Sequence, residues 1–525
     1  MSRDESMIGR RDFLRGASTV GAAIAASPLL GASRPAIEPA SGITALSATE
    51  LSRAIRKREV RCVEVMRAYL ERISRLNPIH NALVSVRDEE TLLAESRTAD
   101  RELDKGLYRG WMHGMPHAVK DLSDVKGLPT SQGSRLFAGT IAKADTLFVK
   151  RIRDAGAVFI GKSNTPEFGF GSQTYNDVFG TTYNAHDRSL CAGGSSGGAA
   201  VGLATQMLPV ADGSDMMGSL RNPAAFNGVV GFRPSQGRVP EYPRTDVFLD
   251  QLAVSGPMGR NVQDTIQLLE TMAGPDPRDP MSLRDLVPTF EEFAPPRLAG
   301  YRIGWMGDYE GYLATEPGVL TLCESALHAV RDEGALVEPC QPDYDMASLW
   351  HTWLTFRHWS ASGAGAIYEN PEMRSLVKPE VIWEIEGSFN LTTAQLKEAG
   401  VARTAWYRAL LDLFARYDVL ALPSAQVFPF DAEIHWPKSI DGRPMDTYHR
   451  WMEVVIGGTL AGLPVVSLPA GFDARGRPMG IQFLGRFGED RKVLEFALAF
   501  ERVMRASEPR PRSDRPAPTD DSARG

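Results

Sequence analysis

The chain has 525 residues, of which 43% are hydrophobic, so it is long enough to bury a large core. Length alone would allow about three domains, although large α/β folds of this size often form a single unit. The formal net charge is −7 at pH 7, and no block of lysine and arginine recurs along the body of the chain. This charge balance argues against nucleic acid as a partner.

The first 35 residues are predicted to be an export signal outside the fold. The basic segment RRDFLR at residues 10–15 precedes an Ala- and Gly-rich apolar run at residues 17–30, which is followed by small residues. The run is too short to span a bilayer, which takes about 20 apolar residues. This order is typical of a twin-arginine signal and predicts a periplasmic or secreted protein with no stable membrane insertion after signal removal. The alternative is a chance arginine pair before an amphipathic helix.

The segment from Ser47 to Asn77-Pro78 is predicted to be one amphipathic helix that Pro78 ends. Its apolar stripe consists of Leu51, Ile55, Val60, Val63, Met66, Leu70 and Ile73. A strand and a second helix ending at Gly106 follow. We interpret both helices as scaffold with a solvated charged face.

Lys120 is the first candidate for chemistry. It follows the mostly apolar residues 117–119, which read as a short strand, and it precedes a turn-forming cluster at residues 121–127. A lysine at the end of buried sequence loses the solvation of its charged form, so its pKa falls and it can act as a neutral base. His117, three residues earlier, is interpreted as a packed strand residue.

Two serines in glycine-rich settings follow a predicted helix and strand at residues 149–163. Ser195 lies in GGSSGG and Ser219 in DMMGS, 24 residues apart. Glycine lets the backbone bend sharply, and amides in such turns can point at an anion. We expect Lys120, Ser195 and Ser219 to form a proton relay. The lysine takes a proton from one serine, and that serine takes a proton from the other.

Later segments are predicted from the same kinds of signal. Residues 275–296 read as a proline-rich loop, residues 298–339 as strand, helix and strand, and residues 489–505 as a final helix. The aromatic run of Trp350, Trp353, Phe356 and Trp359 at near-helical spacing is interpreted as a core stripe, with a pocket wall as the alternative. Residues 507–525 contain almost no apolar side chains and are predicted to be disordered.

Five sequence blocks, taken together, resemble the amidase signature family. They are GMPHAVKD, GKSNTPEFGFGSQTYNDVFGTTYNAHD, GGSSGGAA, GSDMMGSLRNPAAFNGVVGFRPSQGRV and LAGLPVVSLPAGFDARGRPMGIQFLG. The resemblance implies an α/β fold in which one large domain, residues 36–506, has a central mixed β-sheet covered by helices. It also implies that Lys120 is the base, Ser195 a bridging serine after a cis peptide, and Ser219 the nucleophile that forms an acyl-enzyme.

Four further residues are expected to support this set. Ser196 could hydrogen-bond the lysine, and Ser214, where the family usually carries threonine, could orient the same relay. Asp215 and Arg221 flank the nucleophile and are expected to pair and hold its turn.

An oxyanion hole is predicted from the backbone amides before the nucleophile. These amides belong to Met216, Met217, Gly218 and Ser219. The family usually has two glycines in this turn where the chain has Met217-Gly218. We expect a negative φ at Met217, because a positive φ would strain its side chain. Met216 or Met217 is then expected to form an apolar wall of the acyl pocket.

Other chemistries have less support in the sequence. No histidine pair has metal-ligand spacing on a helix, and no GxSxG motif with downstream Asp and His is present, so no metal and no cofactor are predicted. Cys191 is interpreted as a buried filler, and the four cysteines do not demand disulfides.

Several functions remain open at this stage. The favoured one is an exported amidase acting on a small-molecule amide, with a homodimer as the assembly to test. The alternatives are a carbamate or ester hydrolase at the same site, the catalytic chain of a glutaminyl- or aspartyl-tRNA amidotransferase, and a catalytically silent binding protein.

Overall fold

The computed structural model describes residues 42–285 and 293–507. The predicted export signal, and all of the predicted C-terminal tail except Ser507, lie outside these ranges. Ser507 itself belongs to the last helix. The proline-rich segment, where described, contains no helix and one isolated bridge between Asp276 and Asp279.

Fifteen α-helices, numbered α1 to α15 in chain order, lie in the described residues. They are Ala48–Arg56, Cys62–His80, Glu89–Asp104, Leu147–Asp154, Gly197–Ala204, Arg221–Asn227, Val262–Met272, Val319–Asp332, Met346–Ala361, Gly365–Glu369, Pro371–Arg374, Pro379–Ser388, Thr393–Phe414, Ile456–Leu460 and Asp490–Ser507. None of them is long and apolar enough to cross a membrane.

Thirteen β-strands, β1 to β13, lie in the same residues. They are Leu83–Val84, Pro116–Lys120, Val158–Ser163, Ala211–Asp215, Val230–Arg233, Val254–Gly259, Arg302–Trp305, Leu336–Pro339, Val419–Pro423, Ser439–Ile440, Arg443–Pro444, Val465–Phe472 and Pro478–Leu484.

The central sheet is mixed, as expected. Its eight strands run in the order β4-β6-β5-β12-β13-β9-β7-β8. The pairs β7/β8 and β7/β9 are parallel and the other five pairs are antiparallel. Strands β12 and β13 are buried along nearly their whole length, which is expected of strands covered on both faces. The helices flank this sheet in one large domain.

A second, three-stranded sheet in the order β1-β3-β2 carries Lys120. Strands β2 and β3 are parallel, with α4 between them in the chain, so the predicted crossover is confirmed but lies in this smaller sheet. A separate hydrophobic cluster that includes Met66, Ile160, Ala199 and Leu208 packs behind it. The two sheets meet where β2 approaches the edge strand β4.

The predicted helix over residues 47–76 is in fact two helices. A break at residues 57–61 contains Arg58 with φ of 61°, and α1 begins with a capping box between Ser47 and Glu50. Pro78 lies inside α2, since a proline near the end of a helix removes only one internal hydrogen bond. The helix ends where Asn81 adopts a left-handed conformation.

The aromatic run forms α9. Trp350 and Trp353 are buried in the main core, and Phe356 packs partly against it, so the core-stripe interpretation holds for these three residues. The side chain of α9 that reaches the candidate site is Arg357, as described below.

Candidate active site

Lys120 lies at the carboxyl end of β2 with its side chain buried among serine hydroxyls. Its Nζ is 2.7 Å from Ser195 Oγ and 2.8 Å from Ser196 Oγ. The third neighbour is Ser214 Oγ on β4, at 3.0 Å. The structure thus brings together the predicted base, the predicted bridging serine and both serines predicted to support them.

The Lys120 amine is poised to be neutral near pH 7. Burial lowers its pKa to about 7, and the nearby carboxylates of Asp212 and Asp215 limit the fall. A neutral amine has two N–H bonds and one lone pair, so it can accept a proton from one of the three hydroxyls. Ser196 Oγ has its own acceptor in the Ser214 carbonyl at 3.4 Å. Of the remaining two hydroxyls, Ser195 is the closer to the amine.

Asp212, which sequence reasoning missed, fixes the end of β2 against β4. Its Oδ1 lies 2.9 Å from His117 Nε2, and its Oδ2 accepts from the backbone N–H of Lys120 at 3.2 Å. Both side chains are fully buried. His117 is therefore a packed strand residue with an acidic partner. The sequence signal for this contact was only an acid directly after the apolar residues 208–211.

Two side chains from the segment after β3 hold the turn before Ser195. The Gly194–Ser195 peptide bond is cis, as the resemblance implies. Thr174 Oγ1 donates to the Gly193 carbonyl at 2.7 Å, and Ser172 Oγ donates to the Gly194 carbonyl. A Cβ on Gly197 would lie 2.3 Å from Thr174 Oγ1, so only glycine permits this approach at the start of α5.

Asp215 organises the turn that carries Ser219. Its carboxylate accepts from the amides of Gly218 and Leu220 at 3.0 and 3.1 Å. The same carboxylate pairs with Arg221, at 3.0 Å from Nε and 2.9 Å from Nη2, which confirms the predicted pair. Burial alone would raise the pKa of Asp215, but Arg221 and Arg233 outweigh burial and hold the pKa below its ordinary value.

The predicted oxyanion donors differ in availability. The Gly218 amide is engaged by Asp215, whereas the amides of Met216, Met217 and Ser219 have no acceptor among residues 42–285 and 293–507. Gly218 has φ of +77°, and a Cβ there would lie 2.1 Å from Asn222 Oδ1. The role of Gly218 is therefore to turn the chain, and three amides remain free to bind an oxyanion.

Ser219 lies beside the lysine cluster, but its hydroxyl is not hydrogen-bonded to the cluster. Its carbonyl accepts from the Ser196 amide at 3.2 Å, and the residue is 7% exposed. Its Oγ has no hydrogen-bond partner within the described part of the chain. The hydrogen bond between Ser219 and Ser195 that the relay requires is absent between these described residues, and catalytic contacts of this kind often tighten only when substrate binds.

The two methionines of the turn have different surroundings. Met217 is absent from the residues with positive φ, as expected, and its side chain packs in the main core. Met216 is half-buried, and its Sδ accepts from Arg357 Nη1 at 2.9 Å. Of the two candidates, Met216 is thus the one beside the site.

Arg357 on α9 is the second residue that sequence reasoning missed. Its Nε is 2.8 Å from Glu384 Oε1 on α12, its Nη2 is 3.3 Å from Tyr448 Oη, and its guanidinium lies 4.1 Å from the Phe170 ring centroid. Burial would raise the pKa of Glu384, but Arg357 holds it at about 2. The only available signal was an arginine among the aromatic residues of a buried helix.

Other reactive groups offer no competing site. Within the described ranges, no three His, Cys, Asp or Glu side chains are arranged to hold a metal ion. The four cysteines are free and buried, and burial raises the pKa of Cys191 to about 12. Cys191 is a core residue and not a thiolate.

Comparisons with known proteins show the family to which this chain is related. The family model described as Amidase matches residues 64–494. An acylamidase from Rhodococcus erythropolis is 32% identical over 462 residues, covering 87% of this chain and 95% of that protein. One subunit of the glutamyl-tRNA(Gln) amidotransferase from Thermus thermophilus is 35% identical, covering 86% of this chain and 96% of that protein. A solved bacterial aryl acylamidase of the amidase signature family superposes with a TM-score of 0.81 at 26% identity, covering 88% of this chain and 99% of that one.

The eight-stranded mixed sheet with flanking helices and the matches along the chain define an amide C–N hydrolase. The chain belongs to the amidase signature family.

Proposed function

We propose that this chain is an exported amidase that cleaves small carboxylic amides through an acyl-enzyme on Ser219, with Ser195 and neutral Lys120 relaying the proton. The observation that carries the proposal is the buried Lys120 amine, whose pKa is lowered to about 7 and whose Nζ lies 2.7 Å from Ser195 Oγ. A buried neutral amine beside a serine hydroxyl is a base matched to neutral pH.

In the first half of the reaction, Ser219 Oγ attacks the amide carbonyl carbon. Its proton passes to Ser195 Oγ as the Ser195 proton passes to the Lys120 lone pair. The tetrahedral oxyanion is held by the free amides of Met216, Met217 and Ser219. When the C–N bond breaks, the proton returns through Ser195 to the leaving amine, and an ester of Ser219 remains.

In the second half, water attacks the Ser219 ester along the same relay. Its proton passes through Ser195 to Lys120 and then back to Ser219 Oγ as the carboxylic acid leaves. Every proton taken up by Lys120 is returned, so the cycle requires no cofactor. Ser196 and Ser214 orient the amine between transfers, and Asp215 with Arg221 keeps the nucleophile turn in place.

Export is supported by the sequence of residues 1–35 alone, with its RRDFLR segment and short apolar run. It favours a periplasmic or secreted enzyme over the amidotransferase alternative, because a charged tRNA is not available outside the cytoplasm. Ser219 Oγ could also attack the carbonyl carbon of a carbamate or an ester, so these two classes stay as alternative substrates. A homodimer also stays a prediction.

Labelling with a fluorophosphonate tests the assignment of the nucleophile. We expect mass spectrometry to place the adduct on the peptide that contains Ser219 and to find no adduct in Ser219→Ala. An adduct on Ser195 in the wild type would reverse the roles of the two serines. Amide hydrolysis by the purified chain, with neither tRNA nor another protein present, would separate the amidase from the amidotransferase alternative.

A further inference from the structure

A cavity of about 660 Å³ opens between α12 and the segment around residues 433–448. Its volume is in the range of pockets that hold small organic ligands. Aromatic rings form much of its wall: Trp383, His435, Trp436 and Tyr448. The cavity therefore offers flat apolar faces of the kind that also attract cations.

The charged residues of the cavity are mostly acidic. Glu380, Glu433 and Asp446 line it, against a single base, Lys438. The Lys438 ammonium lies 3.1 Å from the centroid of the Trp436 ring, so one cation of the chain already occupies an aromatic face there. Arg450 lies 4.0 Å from Asp446 and Lys378 interacts electrostatically with Glu380, so the cavity has a smaller excess of negative charge than its three lining carboxylates alone would give.

Glu380 has hydrogen-bonding capacity that the described residues do not use. It is 8% exposed, its Oε1 accepts from Tyr175 Oη at 3.3 Å, and its Oε2 has no hydrogen-bond partner within the described ranges. A buried carboxylate oxygen without a partner is costly unless a ligand supplies one. Lys378 is the nearest base in sequence, but its Nζ donates to the Phe170 carbonyl and it forms no ion pair with Glu380 within 4.0 Å.

The cavity adjoins the candidate active site through shared side chains. Tyr448 lines the cavity and contacts Arg357, whose Nη1 reaches Met216 in the oxyanion turn. The backbone at Gly169 lies beside the bridging serine, since a Cβ on Gly169 would lie 3.3 Å from Ser195 Oγ. A Cβ on Gly171, two residues later, would lie 3.9 Å from the Tyr448 ring. The cavity and the candidate active site are therefore linked through Tyr448, Arg357 and the backbone at residues 169–171.

We propose that the cavity binds a cationic ammonium group, carried on an apolar body at the end of the amide substrate remote from the scissile bond. This inference rests on the proposed function, and it narrows the substrate class to amides with an amine or quaternary ammonium terminus. The aromatic walls accommodate the apolar body, and the lining carboxylates, of which Glu380 is the most buried, favour the positive charge.

Two paired measurements test this inference. The first compares kcat/KM for 4-nitroanilides whose acyl chains, of graded length, end in trimethylammonium or in its neutral isostere tert-butyl. A second series carries the same groups on the leaving amine. We expect a preference for the cation of about tenfold in one series, as a cation over aromatic faces near carboxylates would give. Glu380→Gln and Glu433→Gln should reduce this preference, and Lys438→Met should increase it.

Glu398→Gln on the exposed face of α13 is the matched control and should leave the preference unchanged. Calorimetry of benzyltrimethylammonium on Ser219→Ala measures binding without hydrolysis, so a failure of the proposed function does not obscure the result. Equal rates for the cation and its isostere in both series, or binding that Glu380→Gln does not weaken, would overturn the inference. Loss of all amide hydrolysis with binding intact would contradict only the proposed function.

Discussion

At the scale of single residues, the decisive feature is where Lys120 places its amine. A lysine in water is charged at neutral pH and cannot accept a proton. Here the amine is buried and faces hydroxyl groups, while Asp212 contacts the Lys120 backbone and His117 and makes no ion pair with the amine within 4.0 Å. Burial thus dominates over the two nearby carboxylates, and the pKa falls to about 7.

The pH dependence of activity follows from this pKa. Because protonated Lys120 cannot act as a base, kcat/KM should rise with pH through about 7 and then level off. Lys120→Met, which removes the amine with little change in volume, should lower kcat/KM by about 10²–10⁴ and abolish the acid limb. Full wild-type activity at pH 5 would contradict a lysine base.

The two methionines of the oxyanion turn should respond differently to truncation. Met216→Ala opens the space beside Arg357 and should change the ranking among bulky acyl groups while small amides are still cleaved. Met217→Ala leaves a cavity in the core and should lower the free energy of unfolding by about 2–5 kcal/mol. Urea denaturation and an acyl-chain series check both changes. A shift of acyl preference in the Met217 variant alone would reverse the assignment.

At the scale of elements, the nucleophile turn is held by strands and helices that meet at Asp215. This residue ends β4, pairs with Arg221 on α6 and contacts Arg233 on β5. The turn between β4 and α6 therefore cannot move without breaking buried ion pairs. On the other side, Arg357 connects α9 to α12 and to the same turn.

Neutralising Asp215 should destabilise the whole fold. Asp215→Asn leaves Arg221 and Arg233 buried with uncompensated charge, and a loss of about 3–5 kcal/mol in the free energy of unfolding is expected. The matched control is Asp177→Asn, which removes an exposed partner of Arg135 and should change stability by less than about 1 kcal/mol. Equal free energies of unfolding for the two variants would show that the ion pairs of Asp215 do not stabilise the fold.

At the scale of the whole molecule, the site is assembled at the junction of two sheets. Lys120 belongs to the three-stranded sheet and Ser214 to the edge of the eight-stranded sheet, while Ser195 and Ser219 lie in turns that precede α5 and α6. Residues distant in sequence meet only after both sheets have formed. Activity should therefore be lost with global unfolding.

Export should depend on residues outside this assembly. Replacing Arg10 and Arg11 by lysine should keep the protein in the cytoplasm without changing kcat/KM, because these residues belong to the predicted signal and not to the predicted catalytic domain. Cell fractionation and assays of the two compartments measure both effects. Unchanged export of the double-lysine variant would favour the chance-pair interpretation.

The sequence by itself predicted the elements and residues that local chemistry specifies. Glycine-rich turns marked Ser195 and Ser219, and an apolar strand before a turn marked Lys120 as buried. Alternating strands and helices indicated a mixed sheet. The helix break near Arg58 was missed because the apolar periodicity continues through it, and the helix end at Asn81 was missed because Pro78 looked like the stop.

Only the tertiary structure decided which distant side chains meet. Three contacts depend on how strands and helices pack, and no local pattern encodes their geometry. They are Asp212 with His117, Arg357 with Met216, and the Asp215 carboxylate with the Gly218 amide. The two methionines are neighbours in sequence, yet Met217 is buried in the core, whereas Met216 packs only partly against it and contacts Arg357. Sequence spacing specifies which residues can react, whereas packing fixes the distances and the burial that set their pKa values and their partners.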